Sequence, residues 1–83
     1  MEARWLGEAI ARRRRTLKQS QEDVAHAADI STRYFADVER GSRSVSVAVA
    51  RRIAKALSMR LQDLLDAADA IASRSTSARS KRR

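Results

Sequence analysis

The sequence has no cysteine and no proline. The first absence excludes a disulfide framework, a thiolate metal site and a cysteine nucleophile. It also fits the reducing cytoplasm, the compartment expected here. The second removes the residue that most readily breaks a helix. Glycine occurs only at Gly7 and Gly41, and the only aromatic residues are Trp5, Tyr34 and Phe35. Phe35 is needed for a core, so no stacking platform for RNA bases remains. His26 is the sole histidine, and no Ser–His–acid set or metal-ligand cluster accompanies it. An enzyme, a metal, a cofactor and a small-molecule substrate are therefore not expected. No apolar run approaches the roughly 20 residues of a membrane span. Glu8 and Arg12 interrupt the stretches where a secretory segment would lie.

Positive charge is what the chain has in excess. Eighteen Lys and Arg face ten Asp and Glu over 83 residues, a formal net of +8. Five of the eighteen follow Ala72, where no acid occurs. Both blocks favour a polyanionic partner. The length allows one domain, expected over residues 1–72. The segment 73–83, SRSTSARSKRR, has the composition of a disordered basic tail. A core this small is marginal, and a dimer interface would add burial.

Apolar residues recur at helical spacing, which predicts an all-α fold of five helices. Leu6, Ile10 and Leu17 share a face of a first helix over about Ala3 to Leu17. Ser20 can cap a second helix, with Asp23 three residues on. Ser31 can cap a third, with Ile30 and Phe35 at the spacing of a hydrophobic staple. Gly41 can end it in the left-handed conformation. Ser46 can cap a fourth, with Val47, Ala50, Ile53, Ala54 and Leu57 as its apolar stripe. A fifth begins near Met59 to Leu61 and presents Leu61, Leu64, Leu65, Ala68 and Ile71. The second and third helices, joined by a short turn around Asp29, have the spacing of a helix-turn-helix. Aspartate tolerates the left-handed backbone such a turn uses.

From Leu6 to Leu65 the chain resembles the Cro and phage-repressor-like (XRE) helix-turn-helix family. The resemblance rests on Leu6-Gly7 followed by Ile10 and Arg14, on SQEDVA at 20–25, DVERG at 37–41 and IAKAL at 53–57. The stretch STRYFADVERGSRS also looks like the controller proteins of restriction–modification systems. The sequence departs from the family at Arg13 and Gln19, where apolar residues are usual. It departs again at Lys18 and Asp29, which replace glycines, and at Val45, which replaces a proline. Arg13 points inward by helical phase, so its stem should pack while its head reaches solvent.

The resemblance implies a lambda-repressor-like fold and a regulator that binds double-stranded DNA as a homodimer, on two half-sites about one DNA turn apart. The third helix would enter the major groove, with Thr32, Arg33, Tyr34, Ala36 and Asp37 as base-reading candidates. Arg33 is the first choice for a bidentate contact to guanine. Asp37, one turn on, would orient Arg33 or accept from a cytosine amino group. Gln21, Ser31, Arg40, Arg43 and Ser44 are the phosphate candidates. The family pairs residues at the positions of Arg14 and Glu39 as a partly buried ion pair. Leu65, Ala68 and Ile71 are the candidate dimer interface. The main rival is a protein-binding adaptor on the same fold, such as the antitoxin of a toxin–antitoxin pair.

Overall fold

A computed structural model describes residues 2–80, with side chains through residue 75. It contains α1 (Ala3–Thr16), α2 (Gln21–Ala27), α3 (Thr32–Arg40), α4 (Val47–Ala56) and α5 (Leu61–Ser80). Phe35, Ile10, Ile53, Leu57, Leu64, Val24 and Val38 are the largest fully buried side chains. They come from all five helices, so one core organises the molecule. Burying an aliphatic or aromatic side chain is worth roughly 1.5–3 kcal/mol.

The predicted helix starts are built as expected. Ser20 Oγ accepts from Asp23 N–H at 2.9 Å, and the Asp23 carboxylate accepts from Ser20 N–H at 3.0 Å, a closed capping box. These bonds hold the Asp23 carboxyl below the usual carboxylate range, the bond from the Ser20 backbone contributing most. Ser31 caps α3 through Tyr34 N–H, and Ser46 caps α4 through Val49 N–H. At α5 the Asp63 carboxylate accepts from the Arg60 N–H and guanidinium, which supplies the start that Arg60 alone could not.

The helix ends share one device. Lys18, Asp29 and Ser58 follow α1, α2 and α4 with φ of 57°, 59° and 58°, and Gly41 follows α3 with φ of 77°. In each case the next N–H closes onto a carbonyl five residues back, as in Gln19 to Arg14 and Ile30 to Ala25. That is the Schellman closure. Only one of the four positions is glycine; the other three hold the left-handed conformation with a side chain in place.

Two expectations are corrected. Val47, placed in the α4 stripe, is 63% exposed. It is the first residue of α4 and lies beyond the reach of the core. Arg13 adds a contact that its phase did not specify: its Nε donates to Leu57 O at 3.0 Å and closes the C-terminal end of α4. The boundary expected after residue 72 falls inside α5, which runs on to Ser80. Residues 81–83 of the expected basic tail lie outside the described residues.

Candidate nucleic-acid interface

The orientation of α3 is set from inside. Phe35 and Val38 are buried, so the opposite side of this nine-residue helix carries Thr32, Arg33, Asp37 and Arg40. Ser31, Thr32, Arg33 and Arg40 are exposed, while Tyr34, Ala36 and Asp37 are half-buried. Among the described residues nothing else covers the tip of α3.

Two close approaches fix that helix. At Gly7 an added Cβ would stand 2.3 Å from Val38 O and 2.6 Å from Glu39 O. The C-terminal part of α3 therefore crosses α1 with backbone nearly against backbone. The second approach is polar. Arg14 of α1 donates to both Glu39 carboxylate oxygens, at 2.7 and 3.2 Å, and to Gln19 O at 2.9 Å. Gln21 of α2 donates its amide to Glu39 Oε1 at 2.8 Å. The bond to Glu39 raises the Arg14 guanidinium above its ordinary value. The expected Arg14–Glu39 pair is present, and it also recruits α2.

That network changes the reading of Gln21. One amide hydrogen is committed to Glu39, so only the second amide hydrogen and the backbone N–H are left for a phosphate. Asp37 changes as well. Its carboxylate pairs with Arg40, one turn on, and not with Arg33. Arg33 makes no ion pair among the described residues. Its charge is therefore available at the helix tip. Ser31 Oγ accepts the cap bond and still has its hydroxyl hydrogen to donate to a phosphate. Ser42 closes the exit of α3 by donating from both N and Oγ to Asp37 O, each at 3.1 Å. Beyond it Arg43 and Ser44 are exposed, and the Arg43 guanidinium lies over the Tyr34 ring at 5.0 Å from its centroid.

Two further contacts were not anticipated from sequence. Arg52 Nε donates to Ala28 O at 2.8 Å, capping α2 from α4. The Tyr34–Arg43 stack is the other. Its signal was an aromatic residue and an arginine flanking the glycine stop, which spacing alone does not pair.

The candidate interface residues on α5 divide. Ala68 is fully buried and Ile71 is 8% exposed, both inside the monomer's own core. They are corrected to core residues, because α5 lies along α1 and spends that stripe there. Leu65 is only half-buried. It lines a shallow groove of about 280 Å³ with Leu6, Val45, Val47, Ala50 and Leu61.

A capped α2, a left-handed turn and a projecting α3 locked to α1 define a helix-turn-helix regulator. The helix-turn-helix domain family matches residues 5–68, and the chain belongs to it, in the Cro and phage-repressor (XRE) branch of DNA-binding regulators. Over 47 residues the chain is 45% identical to control protein C.BamHI of Bacillus amyloliquefaciens. That alignment covers 57% of this chain and 58% of the relative, so it spans little more than half of that protein. The restriction–modification controller protein C.AhdI from Aeromonas hydrophila superposes with a TM-score of 0.73 at 29% identity, over 75% of this chain and 94% of that one. The clp gene regulator ClgR from Corynebacterium glutamicum superposes with a TM-score of 0.87 at 24% identity, over 99% of this chain and 88% of that one. The ClgR match speaks to fold alone. Among the described residues no helix is long and apolar enough to cross a membrane.

Proposed function

We propose that this chain is a transcriptional regulator that binds a palindromic operator as a homodimer, and that it controls restriction–modification genes. The observation that carries the reading is the uncovered tip of α3, where Thr32 and Arg33 are exposed and Arg33 has no carboxylate partner among the described residues. A free guanidinium at a helix tip is suited to the O6 and N7 of guanine. Thr32 can contact a thymine methyl, and Ala36 leaves room for the groove. Arg40, Arg43, Ser44 and the remaining hydrogens of Gln21 and Ser31 grip phosphate on either side. Asp37 orients Arg40. The controller setting is supported by the identity to C.BamHI and the likeness to C.AhdI.

One helix-turn-helix reads few base pairs, so two copies must sit about 34 Å apart along the duplex. The surface offered to the second copy is the groove around Leu65. Val47 stands exposed at its rim, and Leu61 and Leu65 are only half-buried. It adjoins the exit of α3, so a two-fold axis there sets the spacing of the recognition helices. Selection from random duplex DNA, followed by sequencing, tests the reading. The expected product is a palindrome with half-sites one helical turn apart. Recovery of no preferred sequence refutes it. A tight protein partner together with no DNA preference would favour the adaptor reading.

A further inference from the structure

We propose that Tyr34 is a positioning residue: its ring holds the Arg43 guanidinium in place for a DNA phosphate and does not read a base. This inference rests on the reading of α3 as a DNA-binding helix. The Tyr34 N–H is taken by the Ser31 cap, and the half-buried ring packs against the core. The Arg43 guanidinium lies over that ring at 5.0 Å. To reach a base edge, Tyr34 would have to leave both the core and Arg43.

The two arginines at the exit of α3 are held in different ways. Arg40 is held by the Asp37 carboxylate, which fixes it and also cancels its charge. Arg43 sits in the segment between α3 and α4, outside regular structure, and makes no ion pair among the described residues. A long side chain in such a segment loses rotamer freedom when it binds. An aromatic face restrains a guanidinium without neutralising it. Arg43 is therefore ordered before binding and keeps the full charge that displaces a counterion from DNA. Tyr34 acts on DNA through Arg43.

The test measures affinity for the selected operator, and its salt dependence, for wild type, Tyr34→Phe, Tyr34→Leu, Arg43→Ala and the Tyr34→Leu/Arg43→Ala double variant. Tyr34→Phe keeps the ring and should bind within twofold of wild type. Tyr34→Leu should bind about two- to fivefold more weakly, with unchanged base preferences. Arg43→Ala should lower the salt slope by about one. Adding Tyr34→Leu to Arg43→Ala should weaken binding no further. In the free protein, Arg43 side-chain protons should be shifted upfield by the ring in wild type and Tyr34→Phe, and not in Tyr34→Leu. An equal loss in both Arg43 backgrounds overturns the inference, as does a Phe variant as weak as the Leu variant or a changed preference at one base pair. A wild-type chain that binds no DNA would remove the underlying reading as well. Wild-type binding with an unaffected Leu variant would remove only the role of Tyr34.

Discussion

Replacing Glu39 by methionine should cost about 3 kcal/mol of stability. The Glu39 side chain is 7% exposed and that of Arg14 is 16% exposed. The substitution removes two bonds to Arg14, at 2.7 and 3.2 Å, and one from Gln21 at 2.8 Å. Arg14 keeps only its bond to Gln19 O. A guanidinium is left at the junction of α1, α2 and α3 with no counter-charge. Breaking a buried pair costs about 3–5 kcal/mol, and the lower end applies because Arg14 retains some water. In a domain of this size each kcal/mol moves the melting temperature by roughly 4–8 °C, so a fall of about 12–24 °C is expected. Circular dichroism melts should be run at one protomer concentration, because association shifts the midpoint. The Arg14→Met/Glu39→Met double variant should recover most of the loss, since a buried pair is often replaced by apolar side chains without penalty. A single-variant cost below about 1 kcal/mol refutes the reasoning. So does a double variant as unstable as the two single losses combined.

Arg33→Ala should erase the preference at one base position of the selected site, worth about 1–3 kcal/mol of discrimination; an unchanged selection profile would show that Arg33 reads nothing. Gly7→Ala should cost about 1–3 kcal/mol of stability, read as a lower denaturant midpoint, because its Cβ meets backbone oxygens that cannot move without shifting α3; an unchanged midpoint would contradict the close crossing. Asp23→Asn bears on pH. The Asp23 carboxyl is lowered in the folded state, so its contribution is present above the ordinary carboxylate value of about 3.9 and is lost as pH falls through the folded value. The melting difference between wild type and Asp23→Asn should therefore be full near neutrality and narrow as pH falls below the ordinary carboxylate range, whereas a difference independent of pH would rule out the capping carboxylate as its source. Leu65→Asp should shift the sedimenting species towards monomer, and an intact dimer would place the interface elsewhere.

Local chemistry was the most legible part of the sequence. Ser20, Ser31, Ser46 and Gly41 mark helix ends through bonds made within a few residues, and each mark is matched by the bond or backbone angle found there. The left-handed Asp29 was legible for the same reason, since turn geometry constrains residue type locally. Contacts between distant segments were less so. Arg13 on Leu57 O and Arg52 on Ala28 O each join residues at least 24 positions apart, and an arginine's long stem gives no hint of which carbonyl it will find. Asp37 shows a subtler limit. Residues three and four apart on a helix are both neighbours, so its spacing to Arg33 and to Arg40 made both partners admissible, and the three-residue pair is the one formed.

The α5 stripe explains why a dimer surface is harder to read than a core. Leu61, Leu64, Leu65, Ala68 and Ile71 are apolar at helical spacing, and that pattern says only that each must be covered. It does not say by which copy. The answer depends on which neighbours the fold brings to each position, and the residues of α5 alone do not carry it. Here Ala68 and Ile71 are buried in the protomer's own core, while Leu65 stays half-buried in the groove it lines with Leu6 and Val47. Both interface corrections have that one cause. An apolar position that the core leaves partly open stays available to a partner, while one buried in it is already used. The apolar residues of α5 that stay partly open are therefore those nearest the exit of α3.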